Sequence, residues 1–469
     1  MGWIIKRFLK RKIDEIAKKT RASLLEIPFY RKKIREYNIP LDEVKSLSSI
    51  KKLEKFLNKY NIKWITPGEL INKDFSLFLS RVPQRERVWV QTSSGYSIAW
   101  KKDKVKIGIK RVAYTWEDVN EVMKQIYFYG IKSLLKDYNL PTITIFSRLN
   151  GLALSGRSPF IGLTLLSAKF PLRVFPFGEP LTEEQYEIYT KLAVELDSNG
   201  IISTPYIFSR IEKCCEKLGM SFPHLKFVAL GGYTPTQDIV KKCHEIGSKI
   251  VVDGYSLQEV MPLGAIASGV ISSEDTQIGE DEGLIPYGTL CYLRIVDEDN
   301  QSVGEGEKGE IKITSPFKGT SLVDYPTGDV SKVISLYSVK NFKGRTINLP
   351  LPTLSYEINR KNESLVKKIN EYPIHLDMLS LLLRENVGYE NFLIYTASDE
   401  LVVMTTKEKS DRVKEIIRRA FFSAQPSVYE KIRIIEVERE SLEKFVYPDG
   451  YKPHNIYPEK LQELEELLY

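Results

Sequence analysis

Short runs of β-branched and aromatic residues at 142–146, 173–177, 226–230 and 249–252 alternate with stretches at 117–136, 183–199 and 206–218 whose apolar positions recur at helical spacing. Apolar runs too short to be helices, each linked to the next by a helical period, predict parallel strands whose connections cover a sheet. Further on, Leu293-Arg294-Ile295-Val296, the acidic turn Asp297-Glu298-Asp299-Asn300 and the alternating Glu310-Ile311-Lys312-Ile313 predict a β-hairpin. The pattern changes near Ile358-Asn359-Arg360-Lys361-Asn362-Glu363. After it come a strand at 366–369, a helix at 376–384, strands at 391–395 and 400–405, a helix at 410–424 and a strand at 431–436. The expected fold class is α/β: a large N-terminal α/β domain over residues 1–358, then a small α+β C-terminal domain over 359–469.

Composition adds a class to this pattern. At 42% hydrophobic and 28% charged residues, the sequence is that of a soluble globular protein. No apolar run approaches the ~18–20 residues that cross a bilayer, and no signal-peptide pattern is present, so the expected location is the cytoplasm. Cys214, Cys215, Cys243 and Cys291 are too sparse for a disulfide framework and lack paired Cys-x-x-Cys spacing. Cys243-His244 is expected to be structural.

The net charge of +7 is concentrated at one end. Lys6, Arg7, Lys10, Arg11, Lys12, Lys18 and Lys19 face only Asp14 and Glu15 within residues 1–20, and Trp3, Ile4, Ile5, Phe8, Leu9, Ile13 and Ile16 recur among them at helical spacing. Such a basic amphipathic helix suits peripheral contact with an anionic membrane. The preferred expectation is that it packs on the protein's own body with its lysines in water. The rest of the chain is nearly neutral, and no aromatic-plus-basic pattern points to nucleic acid.

Candidate chemistry lies in three segments. Val252-Asp253-Gly254-Tyr255-Ser256-Leu257-Gln258-Glu259 follows a β-branched run, so an aromatic face and a carboxylate are presented together at a strand end, where ligands bind in α/β sheets. Tyr325-Pro326-Thr327-Gly328-Asp329 reads as a turn delivering an aspartate suited to accept from a pair of sugar hydroxyls. Val88-Trp89-Val90-Gln91 is a short strand entering Thr92-Ser93-Ser94-Gly95-Tyr96-Ser97, with Lys101 and Lys102 beyond; hydroxyls, backbone N–H groups and ammonium groups on a loop fit a polyphosphate.

Taken in chain order, with the hairpin between the segments at 252–259 and 325–329, the three segments resemble the phosphate-, adenine- and ribose-binding motifs of the adenylate-forming enzymes, the acyl-CoA synthetase superfamily. Leu25-Glu26-Ile27-Pro28-Phe29-Tyr30-Arg31-Lys32 resembles the opening of the phenylacetate-CoA ligase branch. Leu149 to Gly156, Ser203-Thr204-Pro205 and Val228-Ala229-Leu230-Gly231-Gly232-Tyr233 fall in that branch's order, so the resemblance runs from near Ile13 to the C-terminus.

The resemblance implies an AMP-forming carboxylic acid–CoA ligase with a mobile C-terminal domain. ATP, Mg²⁺ and coenzyme A are the implied cofactors, and a small carboxylic acid is the partner substrate. Carried onto this sequence, Tyr255 packs on adenine, Asp329 holds the ribose, and Gly231 and Gly232 border the nucleotide. Thr92, Ser93, Ser94, Gly95, Ser97 and Lys101 hold phosphates, Glu259 binds Mg²⁺, and Lys452, in Gly450-Tyr451-Lys452-Pro453, acts in the first half-reaction. At the hinge Arg360 keeps the usual arginine, whereas Asn359, Asn362 and Glu363 replace Gly, Asp and Asp. In the phosphate loop Ile98 stands where a second glycine is usual; a β-branched residue does not readily take positive φ, so a stiffer or differently shaped loop is expected. Two alternatives stay open: a catalytically impaired ligand-binding or scaffold protein of the same fold, and transfer of AMP to an acceptor other than CoA.

Overall fold

The computed structural model of the chain describes residues 2–66, 69–70, 79–87, 89–101, 104–125, 131–146, 157–168, 170–178, 180, 182–232, 234–235, 237–257, 260, 266–275, 278–342, 345–349, 351–360, 366–369, 372–396, 400–418, 429–446 and 455–457, with the backbone alone over most of 89–111. It divides into two compact units, Met1–Ile358 and Asn359–Tyr469.

In the first unit a hairpin of β1 (Trp89–Lys101) and β2 (Lys104–Tyr114) precedes a seven-stranded sheet. The sheet comprises β3 (Thr142–Phe146), β4 (Arg173–Pro176), β5 (Gly200–Ser203), β6 (Phe227–Gly231), β7 (Ile250–Tyr255), β8 (Ala267–Ser273) and β9 (Ile285–Pro286). The order is β4-β3-β5-β6-β7-β8-β9, parallel through β7 and antiparallel beyond it. Successive side chains leave a strand on opposite faces, and here both faces are apolar. Phe227 and Ile250 join one core, with Ile143, Leu163 and the N-terminal helices, while Val228, Leu230 and Val251 join the other, with Phe208, Ile211 and Cys243. Two covered faces explain why these strands are continuous apolar runs rather than alternating ones.

The crossover helices begin where the sequence places hydroxyls. Thr182 Oγ1 accepts from the Gln185 N–H (3.2 Å) at the head of Glu183–Glu195, and Thr204 Oγ1 accepts from the Ile207 N–H (3.3 Å) at the head of Pro205–Leu218. Pro205 occupies the first turn, where its missing N–H costs nothing.

The basic N-terminal segment is the helix Gly2–Glu26. Leu9, Ile13, Ile16 and Leu24 are buried in the main core, whereas Lys10 and Arg11 are exposed. Asp14 accepts from the Ile50 N–H (3.0 Å) and Lys19 pairs with Glu121 (2.9 Å), so this described portion of the helix is docked on the first unit. No described helix is long and apolar enough to cross a membrane. The neighbouring helix Pro28–Glu36 buries Tyr30, whose hydroxyl donates to the Ser321 carbonyl (2.8 Å) and accepts from the Val323 N–H (3.1 Å).

A second, antiparallel sheet carries β10 (Tyr292–Val296), β11 (Lys308–Pro316) and β12 (Ser321–Ser335). The hairpin expected over 293–313 is β10–β11. After it, β13 (Ser338–Phe342) and β14 (Arg345–Leu349) form a separate hairpin, and β15 (Thr353–Leu354) returns to pair with β12.

The second unit is α+β. Strands Leu401–Thr406 and Phe392–Thr396 are antiparallel neighbours, flanked in parallel by Ile432–Val437 and Ile456–Tyr457. Helices Leu376–Val387 and Ser410–Ile417 cover one face through Leu379, Leu383, Val413 and Ile417, and Arg439–Val446 covers the other through Leu442 and Val446.

Of the helix expected over 117–136, Trp116–Gln125 and Lys132–Leu134 are described as helical, and 126–130 lie outside the described residues. One expectation changes. The segment expected as a loop over 92–97 lies within strand β1, because the β-branched alternation of 104–114 offers it a full-length antiparallel partner. The ladder is interrupted where the loop was expected: Ser93 faces Lys110 and Ser97 faces Gly108, so Ser94, Gly95 and Tyr96 are out of register. Bulges of this kind recur beside active sites.

Candidate functional site

The carboxyl ends of β5, β6 and β7 lie side by side. In register, Ser203 faces Leu230 and Gly231 faces Gly254. A Cβ on Gly231 would lie 3.4 Å from the Gly254 carbonyl oxygen, and Gly232 adopts φ +98°, a conformation side chains disfavour. This keeps the edge free of side chains at the two positions the sequence singled out. Thr204, at the head of its helix, is the nearest neighbour of a Cβ built on Gly232, at 3.8 Å.

Tyr255 ends β7. Its hydroxyl donates to Asp329 Oδ2 at 2.6 Å, across 74 residues of sequence. The aspartate arrives by a route the sequence did not suggest. Instead of a free turn, Thr327-Gly328-Asp329 is a bulge inside β12: Pro326 faces Lys312 and Val330 faces Glu310, which leaves the three residues opposite Ile311. Gly328 takes φ +76°. Thr327 Oγ1 donates to the Ile311 carbonyl (2.8 Å) and accepts from the Asp329 N–H (3.0 Å), so one hydroxyl pins the bulge from inside. Asp329 is 4% exposed. Bulges re-aim side chains, and this one aims a carboxylate at the end of another sheet.

Sequence inspection passed over a second acid. Asp253, two residues before Tyr255, is buried; burial raises its carboxyl to about 7, against a smaller lowering by the Gly254 backbone N–H. Near it stands Tyr356, whose hydroxyl is raised by burial and by the charges of Asp281, Asp253 and Glu280, and donates to the Asp281 carbonyl (3.2 Å). Thr234 Oγ1 donates to the Tyr356 carbonyl (2.6 Å), tying the segment after Gly232 to the chain end of the first unit. The only sequence signal for Asp253 was its place in a run of apolar strand residues, and Tyr356 had none.

The other expected residues are placed only in part. Thr92, Ser93, Ser94, Gly95, Ser97 and Lys101 lie on β1 and Arg360 on the short strand Asn359–Arg360 of the second unit, described by backbone alone. Glu259 and Lys452, like Asn362 and Glu363, fall outside the described residues. Among the described residues no three His, Cys, Asp or Glu side chains group as a metal site. His244 is bonded at both ring nitrogens, to the Ser248 carbonyl (2.8 Å) and Ser272 Oγ (2.9 Å). All four cysteines are buried and unpaired, and burial pushes the Cys215 and Cys291 thiols up to about 12.

No family model matches the chain, and no curated protein matches it. Solved structures do. The chain superposes on 2-hydroxyisobutyryl-CoA ligase in the postadenylation state with R3-HIB-AMP at a TM-score of 0.66 and 15% identity, over 97% of this chain and 90% of that one. The same ligase with 2-HIB-AMP gives 0.65 over the same shares, again at 15% identity. A structure from work on fatty acyl-adenylate ligases of E. coli and L. pneumophila gives 0.54 at 12% identity, over 79% of this chain and 68% of that one. The fold is that of the adenylate-forming ligases. At such identities the likeness defines architecture.

Proposed function

We propose that the chain is an ATP-dependent, AMP-forming ligase that activates a carboxylic acid as its acyl-adenylate and passes the acyl group to coenzyme A. The observation that carries this is the junction of Tyr255 with Asp329 at the carboxyl edge of a parallel sheet, in a fold shared with a CoA ligase solved with acyl-AMP. An aromatic face beside a buried carboxylate suits a nucleoside: the ring stacks on the base and the carboxylate accepts from ribose hydroxyls. Gly231 and Gly232 let the base approach backbone.

In the first half-reaction a carboxylate oxygen attacks the α-phosphorus, the bond to the bridging oxygen breaks, and pyrophosphate leaves with that electron pair. In the second, a thiol that has lost its proton to solvent attacks the acyl carbon, the acyl carbon–oxygen bond breaks, and AMP leaves with that electron pair. Two anions must meet in the first step, so a cation has to be delivered there. Lys452 is assigned that role, Glu259 would hold Mg²⁺, and Thr92, Ser93, Ser94, Gly95 and Ser97, near or within the β1 irregularity, would hold phosphates with Lys101, at the end of the same strand. A mobile domain 359–469 pivoting near Arg360 supports the alternation between steps. The substrate is an aryl or other acyl acid. A cytoplasmic location accompanies this reading.

A second reading, binding without turnover, is favoured by Ile98 and by the long β1–β2 hairpin around the phosphate segment. ATP–pyrophosphate exchange across aryl, hydroxy and fatty acids separates the two. Acid-dependent exchange is expected with at least one class. ATP binding with no exchange for any acid would favour the binding protein.

A further inference from the structure

The hydroxyl of Tyr255 has no part in stacking, yet it makes a short polar contact, 2.6 Å to Asp329 Oδ2. A phenylalanine would present the same apolar face to a base. The contact lies in the range of charge-assisted O–H···O⁻ bonds, roughly 2.5–2.7 Å. It also joins two elements with no shared ladder: β7 belongs to the mainly parallel sheet and β12 to the antiparallel one. From below, Asp329 is fixed through its own N–H by Thr327 Oγ1, at a bulge where Gly328 allows a positive φ. That bond sets the backbone and leaves the side-chain torsions of Asp329 to be set by what the carboxylate touches. A carboxylate offers about four lone-pair directions, so a phenolic donor and sugar hydroxyls can share the same group.

We propose that Tyr255 is a positioning residue for ribose recognition: its hydroxyl holds the Asp329 carboxylate in the rotamer that accepts the sugar hydroxyls, so selection of a ribonucleotide over a deoxynucleotide depends on a tyrosine that does not itself contact the sugar. This rests on the assignment of Asp329 to the ribose. The ring and the hydroxyl then have separable jobs, the ring in base affinity and the hydroxyl in sugar selectivity. A purely structural bond between the sheets would affect every nucleotide alike.

The test is direct binding of ATP, 2′-deoxy-ATP and 3′-deoxy-ATP by calorimetry to the full chain and to Tyr255→Phe, Asp329→Asn and the double variant, with melting temperatures checked for each. Wild type is expected to prefer ATP over the deoxynucleotides, and Asp329→Asn to abolish most of that preference. Tyr255→Phe should lower ATP affinity more than deoxynucleotide affinity, reducing the preference for ATP by about tenfold, the scale of one 1.4 kcal/mol interaction. The double variant should be no less selective than Asp329→Asn, since both changes remove one device. If Tyr255→Phe retains wild-type selectivity while Asp329→Asn loses it, the positioning role is wrong and the ribose assignment stands. If Asp329→Asn is as selective as wild type, both fall. Should Tyr255→Phe fold poorly, Tyr255→Leu replaces it: weaker binding of every nucleotide with a reduced preference for ATP is expected, and a preference for ATP kept at the wild-type level would overturn the positioning role.

Discussion

Arg294 and Asp324 meet as a parallel, two-pronged pair, Nε to Oδ1 and Nη2 to Oδ2 both at 2.7 Å, with each side chain 2% exposed. The pair sits within the antiparallel sheet that carries Asp329. Asp324 holds φ +50° and Asn300, which accepts from Arg294, holds φ +60°, so two disfavoured backbone conformations close on one guanidinium. Breaking a buried pair by removing one partner costs about 3–5 kcal/mol, because the other charge is left buried. Lys312, 3.8 Å from Asp324 Oδ2, supplies part of the missing charge, so Arg294→Met should fall near the low end, about 3 kcal/mol. Urea unfolding of the first unit checks this, and Asp324→Asn added to Arg294→Met should recover part of the loss. A double variant as unstable as the sum of the singles would mean the two residues act independently.

Much of the architecture was legible because it depends on local pattern. The strands near 142–146, 226–230 and 249–252 could be seen as apolar runs, since both faces of their sheet are covered and most of their side chains are apolar. The β10–β11 hairpin could be seen from its alternation and acidic turn. What could not be seen depends on partners distant in sequence. Ser and Gly in 92–97 favour loops, yet the partner strand 104–114 draws them into a ladder. Thr-Gly-Asp is a turn signal wherever it occurs, and only the pairing with β11 makes it a bulge. Asp253 carries no mark of burial in its own composition; neighbouring strands bury it.

Asp253 gives a pH signature. Its folded carboxyl is raised to about 7 from an ordinary value of 3.8 by burial. Between those values the folded state holds a proton that the unfolded chain has lost, so its contribution to stability is complete below about pH 4 and is lost as pH rises through 7. At about 1.36 kcal/mol per pKa unit the window spans on the order of 4 kcal/mol. Asp253→Asn should match wild type at pH 4 and exceed it at pH 8, measured as urea midpoints across that range. Parallel pH profiles for the two proteins would show that Asp253 titrates normally.

Gly328 tests the bulge. Its φ of +76° costs an L-residue about 1–2 kcal/mol, although no atom of the described residues lies within 4 Å of where a Cβ would stand. Gly328→Ala should therefore lower stability by that amount through backbone strain alone and weaken ATP binding as Asp329 shifts. Gly279 is similarly open and has no positive φ, so Gly279→Ala should change stability by less than about 0.5 kcal/mol. Equal effects at the two positions would remove the strain argument.

The two half-reactions should depend on different residues. Glu259→Gln removes a charge at nearly constant volume, so the fold should persist while adenylation falls by orders of magnitude if Glu259 holds the metal. Lys452→Ala should abolish acyl-adenylate formation yet leave thioester formation from a supplied acyl-AMP largely intact, because a cation delivered to the α-phosphate has no such task in the thiol's attack. Stiffening the segment after Arg360 by Asn362→Pro should harm the second step more than the first, since a domain that must turn between steps is slowed at the turn. Each step is measured by itself, pyrophosphate exchange for the first and CoA thioester release from chemically made acyl-AMP for the second. Intact exchange in Lys452→Ala would remove that lysine from the reaction and leave the approach of two anions to be relieved by the phosphate segment, where Lys101 becomes the next residue to replace.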